Sequence, residues 1–413
     1  MTVYETDEII ERVILVGVAF DTDDDTERSL DELGELAKTA GAQTVGRMIQ
    51  TRDSFHPATY IGKGKIEELR LMIDELDATG IICDDELSPA QFKNLEDELG
   101  VKVMDRTMVI LDIFAARATS SEGKIQVEMA QLKYRSIRLA GFGTSMSRLG
   151  GGIGTRGPGE KKIETDRRLI RDRISKLSVD LKDMKEHRDV QRSKRAKTST
   201  PVAAIVGYTN AGKSTLLNKL TDAGVLSENK LFATLDPTTR SMELPNGEKV
   251  LLTDTVGFIR KLPHNLIEAF KSTLEEAKYA DIIVHVVDVS NPNYEQQMST
   301  VYATLKQLGV EGKPVVTLFN KCDVLPEKPA AKDLHADYTY NISAVRGNGL
   351  EAFKECLQEI ILKSRIRIER VFPYSEAGKI QLIRQFGQLE SEEYTEDGIK
   401  VLAYVPKEIE GKL

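Results

Sequence analysis

A run of small and polar residues in the second half of the chain has the spacing of a phosphate-binding loop. Gly207, Gly212, Lys213 and Ser214 form the pattern G-x-x-x-x-G-K-S within "AAIVGYTNAGKSTLLNKL" (203–220). An apolar segment precedes the pattern and a helix-like segment follows it, so backbone N–H groups can wrap phosphates at a helix N-terminus. We expect Lys213 to reach the β- and γ-phosphates and the Ser214 hydroxyl to bind Mg²⁺. The predicted nucleotide contacts of this loop are Gly207, Tyr208, Thr209, Asn210, Ala211, Gly212, Lys213, Ser214 and Thr215.

Two residues near a later strand end and three threonines are candidates to contact the metal and the γ-phosphate. "KVLLTDTVGF" places Asp254 at the end of an apolar segment and Gly257 three residues further on. The carboxylate can hold Mg²⁺ through water, and the Gly257 N–H can meet the γ-phosphate. Thr234, Thr238 and Thr239 are candidates for a loop that orders around Mg²⁺ and the γ-phosphate, with Thr234 ranked first; ordinary turn chemistry is the alternative. The predicted metal ligands are Ser214, Thr234 and Asp254, and the predicted catalytic residues are Lys213, Thr234 and Gly257.

A third strand end indicates which base the site reads. "KPVVTLFNKCD" ends in Asn320, Lys321 and Asp323, and "YNISAVRG" contains Ser343 and Ala344. A carboxylate accepts hydrogen bonds from both the N1–H and the exocyclic amine of guanine, whereas adenine offers no such pair. Asp323 therefore predicts GTP and GDP as ligands and disfavours a P-loop ATPase or kinase. The backbone at Ser343 and Ala344 is expected to contact the guanine O6.

The residue after Gly257 departs from the pattern of Ras-like proteins, which carry a glutamine there. This chain has Phe258, and a phenyl ring cannot orient a water molecule. We therefore expect slow GTP hydrolysis by the protein alone and acceleration by a group that a partner or a rearranged loop supplies.

A glycine-rich run, "GGGIGTRGPGEKK", contains a second pattern associated with nucleotides. Gly152, Gly154 and Gly157 fit the G-x-G-x-x-G fingerprint of dinucleotide-binding enzymes. That fingerprint requires a preceding apolar strand, but a basic amphipathic helix precedes this run, and Pro158 prevents a helix from starting within it. We interpret the run as a positively charged tip between two helices.

The charge around this tip favours an anionic partner. Residues 133–173 hold eleven basic and four acidic side chains, whereas residues 1–35 hold twelve acidic and two basic ones. Arginine and lysine neutralise phosphates, and glycines let the backbone approach RNA closely. A solvated helix face is the alternative interpretation of the charge alone. The predicted RNA contacts are Arg148, Gly151, Gly154, Arg156, Gly157, Lys161 and Lys162.

The segments that must position these residues predict four domains. Apolar runs alternate with helix-like segments in residues 1–115, which predicts a small α/β domain with a parallel sheet. Apolar residues at helical spacing on both sides of the glycine run make 116–197 a helical hairpin. Residues 198–365 predict a P-loop GTPase domain with a doubly wound, mostly parallel sheet. Residues 366–413 predict a small strand–helix–strand α/β module, whose thin core should pack against its neighbour.

Two helices of the first domain are predicted in more detail. A helix over 29–41 should stop at Gly41, and a second helix should cover 64–80. "YIGKGK" (60–65) precedes the second helix and is interpreted as a turn, with an anion-binding loop as the alternative.

Composition excludes several classes of protein. The chain of 413 residues has no run of 18 apolar residues, so no membrane-spanning segment is expected. Its acidic N-terminus lacks the apolar region of a secretion signal. Cys83, Cys322 and Cys356 lack metal-ligand spacing and are expected to be reduced thiols. We expect a cytoplasmic monomer, with transient membrane association as an alternative.

These motifs together resemble a known family. Residues 201–345 resemble a translation-factor-class GTPase, with the nucleotide motifs in order. The combination of "FATLDPTTR", "DTVGFIRKLP" and "GGGIGTRGPGEKKIETDRR" closely resembles the HflX family; the resemblance covers the first three predicted domains and is weaker for 366–413. It implies a GTPase that binds the large ribosomal subunit and can dissociate ribosomes under stress. The family is also linked to ATP hydrolysis, which Asp323 does not explain.

Two functions follow from the basic hairpin. In the first, GTP orders the loops near the nucleotide, the hairpin docks on ribosomal RNA, and hydrolysis releases it. In the second, the protein is a signalling GTPase whose hairpin binds a protein. Charge and the glycine-rich tip favour RNA, and the dependence of binding on salt concentration discriminates between the two functions.

Overall fold

The structure, a computed structural model, forms two compact units. The first unit comprises Met1–Met184, Glu228–Asp236 and Ile259–Ser272; the second comprises Lys185–Ser227, Pro237–Phe258 and Thr273–Leu413. After Met184 the chain therefore returns to the first unit twice, each time for a short segment. The residues that the structure describes are 10–21, 25–147, 158–196, 200–221, 231–262, 276–327, 330–411 and 413.

The first unit contains a four-stranded parallel sheet with strand order β2-β1-β3-β4. Its helices and strands alternate along the chain, so the predicted small α/β domain is present. In chain order the elements are β1 (Arg12–Ala19), α1 (Thr26–Thr39), β2 (Gln43–Thr51), α2 (Lys63–Glu75), β3 (Gly80–Cys83), α3 (Pro89–Leu99), β4 (Lys102–Asp105) and α4 (Arg106–Arg117).

The central strands of this sheet are buried on both faces. Val13, Ile14, Leu15 and Val16 are successive residues of β1, and each has 0% of its surface exposed. A parallel sheet covered by helices on both faces needs such a continuous apolar run rather than an alternating one. The run "RVILVGVA" therefore predicts a buried strand correctly.

Helices in this unit differ from the predictions at three places. Helix α1 begins at Thr26, three residues before the predicted start, and ends at Thr39, two residues before Gly41. Helix α2 ends at Glu75 rather than near residue 80, because Asp77 adopts a positive φ of 46° that a helix cannot contain. Helix α4 is missing from the sequence-based prediction. Its signal is Asp105, whose carboxylate accepts a hydrogen bond from the Met108 N–H at 2.9 Å and caps the helix.

Two long helices follow, α5 (Ser121–Ser147) and α6 (Pro158–Ala196). They contact each other through a Glu128–Arg173 ion pair at 2.7 Å and through Ser178, whose hydroxyl donates to the Met129 sulfur at 3.7 Å. Helix α6 begins at Pro158, a residue that fits the first helical position because that position has no intrahelical N–H bond to lose. The tip residues 148–157 lie outside the described residues.

The second unit contains a six-stranded sheet with strand order β10-β9-β8-β5-β7-β6. All neighbouring strands are parallel except β6, which is antiparallel to β7. This is the predicted P-loop GTPase sheet. Its elements are β5 (Val202–Gly207), α7 (Lys213–Thr221), β6 (Thr238–Glu243), β7 (Lys249–Asp254), β8 (Ile282–Asp288), α8 (Tyr294–Gln307), β9 (Val315–Asn320), β10 (Tyr338–Asn341) and α9 (Leu350–Lys363).

The C-terminal part of the second unit is a three-stranded antiparallel sheet of order β11-β13-β12 with one main helix. The predicted strand–helix–strand module lacked β12, because its sequence "QLESEEYT" is acidic and almost without apolar residues. It forms an edge strand, a position that tolerates charge. Asn246 donates a hydrogen bond to Gln388 at 3.2 Å and so links the two sheets of this unit. The elements are β11 (Ile366–Phe372), α10 (Ala377–Phe386), β12 (Gln388–Thr395), β13 (Gly398–Val405) and α11 (Lys407–Glu410).

Candidate nucleotide-binding site

The predicted phosphate loop connects β5 to α7 and needs its small residues. Gly207, Asn210 and Gly212 have positive φ angles of 155°, 62° and 97°. A Cβ added at Gly207 would lie 2.3 Å from the Val286 carbonyl oxygen, and one at Gly212 would lie 2.3 Å from Asn320 Nδ2. These two positions therefore require glycine for backbone geometry and for space.

Lys213 is the cationic group of this loop. Its side chain is buried, and its Nζ donates to the carbonyl oxygens of Gly207 at 3.2 Å and Tyr208 at 2.8 Å. Burial lowers the pKa of Lys213 to about 8, although the carboxylate of Asp254 acts in the opposite direction. The acceptors in both hydrogen bonds are uncharged carbonyl oxygens. The buried ammonium is therefore suited to bind an anionic phosphate.

The structure brings together two of the predicted metal ligands. Ser214 Oγ donates a hydrogen bond to Asp254 Oδ2 at 2.7 Å, and Asp254 is fully buried at the end of β7. A hydroxyl and a carboxylate at this separation form an all-oxygen donor set, which suits Mg²⁺.

The D-x-x-G segment lies directly on the phosphate loop. Phe258 N–H donates to the Gly207 carbonyl oxygen at 3.1 Å, and Thr209 N–H donates to the Phe258 carbonyl oxygen at 2.7 Å. A Cβ at Gly257 would lie 2.6 Å from Thr209 Cα and 3.0 Å from Lys213 Nζ, so glycine is required by this approach. The Phe258 side chain is 2% exposed, and it packs in the core rather than contacting solvent.

The predicted guanine motif is connected to the phosphate loop by one side chain. Asn320, at the end of β9, donates from Nδ2 to the Ala211 carbonyl oxygen and accepts at Oδ1 from the Ala344 N–H, both at 2.9 Å. Asp323 lies beside Ser343 and Arg346, and the hydrogen bond from the Ser343 hydroxyl lowers the pKa of Asp323. The carboxylate is therefore ionised at neutral pH and can act as an acceptor.

Sequence reasoning missed Asp288, which orders this motif. Lys321 has a positive φ of 64°, and its Nζ pairs with Asp288 Oδ2 at 2.6 Å. Asp288 is the last residue of β8, as Asp254 is of β7 and Asn320 is of β9. A polar residue ending a third apolar strand was the signal that could have identified it.

The three candidate threonines have different positions. Thr238 begins β6 and pairs with Asp254 in the antiparallel ladder, and Thr239 Oγ1 lies 2.9 Å from Thr253 Oγ1. Thr234 belongs to the first unit, whereas Asp254 belongs to the second. The choice of Thr234 remains a prediction.

The remaining predicted sites lie elsewhere. Lys161 and Lys162 are in helix α6, but their side chains are outside the described residues, as is the whole tip at 148–157. In "YIGKGK", the Tyr60 hydroxyl donates to Asp85 at 2.7 Å and the Gly62 N–H donates to Gln50 at 2.8 Å. A loop facing a carboxylate does not suit an anion, so these contacts favour the turn. No helix in the part of the chain that the structure describes is long and apolar enough to span a membrane.

Family models match the chain in three consecutive regions. A model described as GTP-binding GTPase N-terminal matches residues 27–115, and one described as GTP-binding GTPase middle region matches residues 117–195. A model described as 50S ribosome-binding GTPase matches residues 202–321.

Proteins of similar sequence match this chain over nearly its whole length. A protein of Lacrimispora saccharolytica named GTPase HflX is 63% identical, and the match covers 98% of this chain and 96% of that protein. A protein of Escherichia coli with the same name is 38% identical, with coverage of 94% and 92%. A solved GTP-binding protein of Sulfolobus solfataricus in complex with GDP is 25% identical, covers 85% of this chain and 99% of its own, and has a TM-score of 0.45.

Proposed function

Since this chain belongs to the GTPase HflX family, we propose that it is a GTP hydrolase that binds the large ribosomal subunit and dissociates ribosomes under stress. The observation that carries the ribosomal part is the match of residues 202–321 to a 50S ribosome-binding GTPase model. The basic excess of residues 133–173 supports contact with ribosomal RNA near the hairpin tip. GTP would order the nucleotide-contacting segments, and hydrolysis would release the subunit.

The proposed nucleotide contacts are those predicted from the motifs. On nucleotide binding, phosphate oxygens would replace the two backbone carbonyl oxygens as acceptors of the hydrogen bonds from Lys213. Mg²⁺ would be held by Ser214 and Asp254, joined by one of the candidate threonines, and it would supply charge neutralisation between the phosphates. Asp323 would accept the two guanine donors.

Hydrolysis is proposed to depend on a partner. Phe258 replaces the water-orienting glutamine of Ras-like proteins, and its buried side chain cannot position water. Catalysis therefore needs a group from the ribosomal subunit or from a rearranged loop. An external catalytic group contributes about 10³–10⁵ in rate in Ras-type GTPases. We expect purified large subunits to raise kcat at least about tenfold.

One set of measurements tests this proposal. The protein is sedimented with 30S, 50S and 70S particles in the presence of GDP or a non-hydrolysable GTP analogue. Preferential binding to 50S particles with the analogue, steep weakening by KCl, and a shift of 70S particles towards free subunits are expected. Binding that is insensitive to salt would instead favour a protein partner and a signalling function, and no acceleration by 50S particles would contradict the catalytic part.

A deletion within the proposed hairpin domain tests the RNA contact. We propose that residues 116–197 act as the RNA-reaching hairpin beside the domains 1–115, 198–365 and 366–413. Deletion of residues 150–159 should abolish 50S binding and leave GTP affinity unchanged. Retention of 50S binding would make the glycine run a linker only.

Three further properties belong to the same proposal. The protein would act as a monomer, which sedimentation equilibrium tests. It would act in the cytoplasm, with transient membrane association as an alternative, and cell fractionation distinguishes the two. ATP hydrolysis as a side activity is implied by the family resemblance alone, since Asp323 favours guanine. Competition between ATP and labelled GTP for the site measures it directly.

A further inference from the structure

The segment 231–236 is anchored in the first unit by two side chains. Phe232 is 2% exposed, and its ring meets the ring of Phe114 edge-on, with centroids 4.8 Å apart. Phe232 also has a positive φ of 54°, a conformation that a bulky residue rarely adopts. Leu235, three residues later, is likewise buried. The apolar contacts thus hold the backbone of this segment in a strained conformation.

The second anchor is the carboxylate of Asp236. Its Oδ2 accepts hydrogen bonds from Thr119 N–H at 2.9 Å, Thr119 Oγ1 at 2.7 Å and Ser120 N–H at 2.8 Å, and its Oδ1 accepts from Ser120 Oγ. Ser120 Oγ in turn accepts from the Gly123 N–H at 2.9 Å. Asp236 therefore orients the serine that caps the first turn of α5.

The carboxylate is ionised in this position. Partial burial acts to raise the pKa of Asp236, but the hydrogen bonds from Ser120 and Thr119 outweigh it and lower the pKa. A negative charge beside the N-terminal end of a 27-residue helix is also favoured by the helix dipole.

A glycine in the first turn of α5 accommodates this contact. A Cβ added at Gly123 would lie 2.4 Å from Asp236 Oδ1 and 3.0 Å from Ser120 Oγ. Glycine inside a helix is unfavourable relative to alanine. The close approach of Asp236 gives this unfavourable residue a physical reason.

The position of Asp236 in the chain gives the contact a function. It is the last residue of its segment in the first unit, and Thr238, two residues later, already pairs with Asp254 in the second. Thr234 lies two residues on the other side. A rearrangement that moves either threonine to a metal-bound γ-phosphate would therefore also displace Asp236.

We propose that Asp236 is a nucleotide-controlled clasp on the base of the hairpin: GTP withdraws its carboxylate from Thr119 and Ser120, and the first turn of α5 loosens. The hairpin base is then released in the GTP state and held in the GDP state. This inference rests on the GTPase assignment and not on ribosome binding. Because coupling is reciprocal, a broken clasp also favours GTP over GDP.

Hydrogen exchange of the full chain tests the clasp without any ribosome. In the unsubstituted protein, amides of residues 121–125 should exchange at least about tenfold faster with a non-hydrolysable GTP analogue and Mg²⁺ than with GDP and Mg²⁺. Exchange that is equal in the two nucleotide states would overturn the proposal, whatever the protein does with ribosomes.

Two variants and a matched control identify the clasp as the cause. Gly123→Ala fills the space of the carboxylate while improving helix propensity, and Asp236→Ala removes the carboxylate. Both should abolish the nucleotide dependence of exchange and raise the affinity ratio of GTP analogue over GDP by about fivefold, without adding in the double variant.

The control is Gly64→Ala, which adds a Cβ in the first turn of α2, where no atom lies within 4 Å. It should behave like the unsubstituted protein. If Gly123→Ala retains the full nucleotide dependence, the clasp is not the coupling element. Should Gly123→Ala fail to fold, Asp236→Ala decides the same question.

Discussion

The carboxyl-terminal ends of the parallel strands carry charged residues in both units, but the charges are arranged differently. In the first unit Arg106 pairs with Asp84 at 2.7 Å and with Glu32 at 2.6 Å, and Asp84 also pairs with Lys261. In the second unit, the hydrogen bonds of Lys213 go to backbone carbonyl oxygens. One edge neutralises itself, whereas the other keeps a cation available for a ligand.

The pKa shifts express the same difference. Burial acts to raise the pKa of Asp84, yet Arg106 and Lys261 outweigh it and lower that pKa. Burial lowers the pKa of Lys213, and the charge of Asp254, which acts in the opposite direction, does not compensate. Strand ends of α/β sheets are common ligand sites. Here the partners of the buried cation distinguish the two edges, because Arg106 is paired with carboxylates whereas Lys213 is hydrogen-bonded to carbonyl oxygens.

The largest expected effect breaks the self-neutralised edge. Arg106→Met should lower the free energy of unfolding of the first unit by about 3–5 kcal/mol, because it leaves Asp84 and Glu32 without their main partner in a buried site. Denaturant titration followed by circular dichroism, with hydrogen exchange of β3 and β4 amides, measures it.

A matched control for this variant is Arg47→Met, which removes an exposed ion pair with Asp31 in the same unit. It should change the free energy of unfolding by less than about 1 kcal/mol. Equal effects of the two substitutions would show that the buried network contributes no more than a surface pair.

A smaller effect sharpens the ligand side of the comparison. Asp323→Asn should reduce the preference for GTP over ATP at least about tenfold, because the amide replaces one of the two guanine acceptors with a donor. Competition binding with the two nucleotides measures the ratio. Asp397→Asn, which alters an exposed carboxylate of the same unit, is the control. An unchanged preference would refute the assignment of Asp323 as the base-reading residue.

The smallest expected effect concerns the pH dependence of GTP binding. With a pKa of about 8, Lys213 is mostly protonated at pH 7.0 and mostly neutral at pH 8.5 in the free protein. Phosphate favours the protonated form, so GTP affinity should fall about fourfold between these pH values, and binding at pH 8.5 should take up a proton. Calorimetry in two buffers of different ionisation enthalpy measures the uptake. Binding at pH 8.5 without proton uptake would mean that Lys213 stays charged in the free protein.

The candidate nucleotide site could be predicted from the sequence because its parts are local. Each motif is a few residues long and follows an apolar strand, and strands of a parallel sheet end at one edge. Asp254 and Asn320 could therefore be grouped with Lys213 without coordinates. Asp288 was not predicted as a site residue because no motif surrounds it, although it ends a strand in the same way.

The acidic strand β12 and the contact of Asp236 with Thr119 and Ser120 were not predicted from the sequence, for different reasons. Strand β12 is defined by its pairing with β13 rather than by its own apolar pattern. Asp236 contacts residues 116 and 117 positions away, and Lys261 contacts Asp84 at a separation of 177. Periodicity and turn chemistry report on neighbours in sequence, so they carry no information on such contacts.

The sequence by itself determined the fold class and the phosphate loop, and it predicts the residue that reads the base, because backbone geometry and strand ends impose residue types over short distances. The tertiary structure alone decided which charges neutralise each other and which stay available. It also decided that Gly123 faces a carboxylate rather than solvent. Those outcomes depend on the packing of distant segments, where a single carboxylate such as Asp236 gains its role only from the groups that surround it.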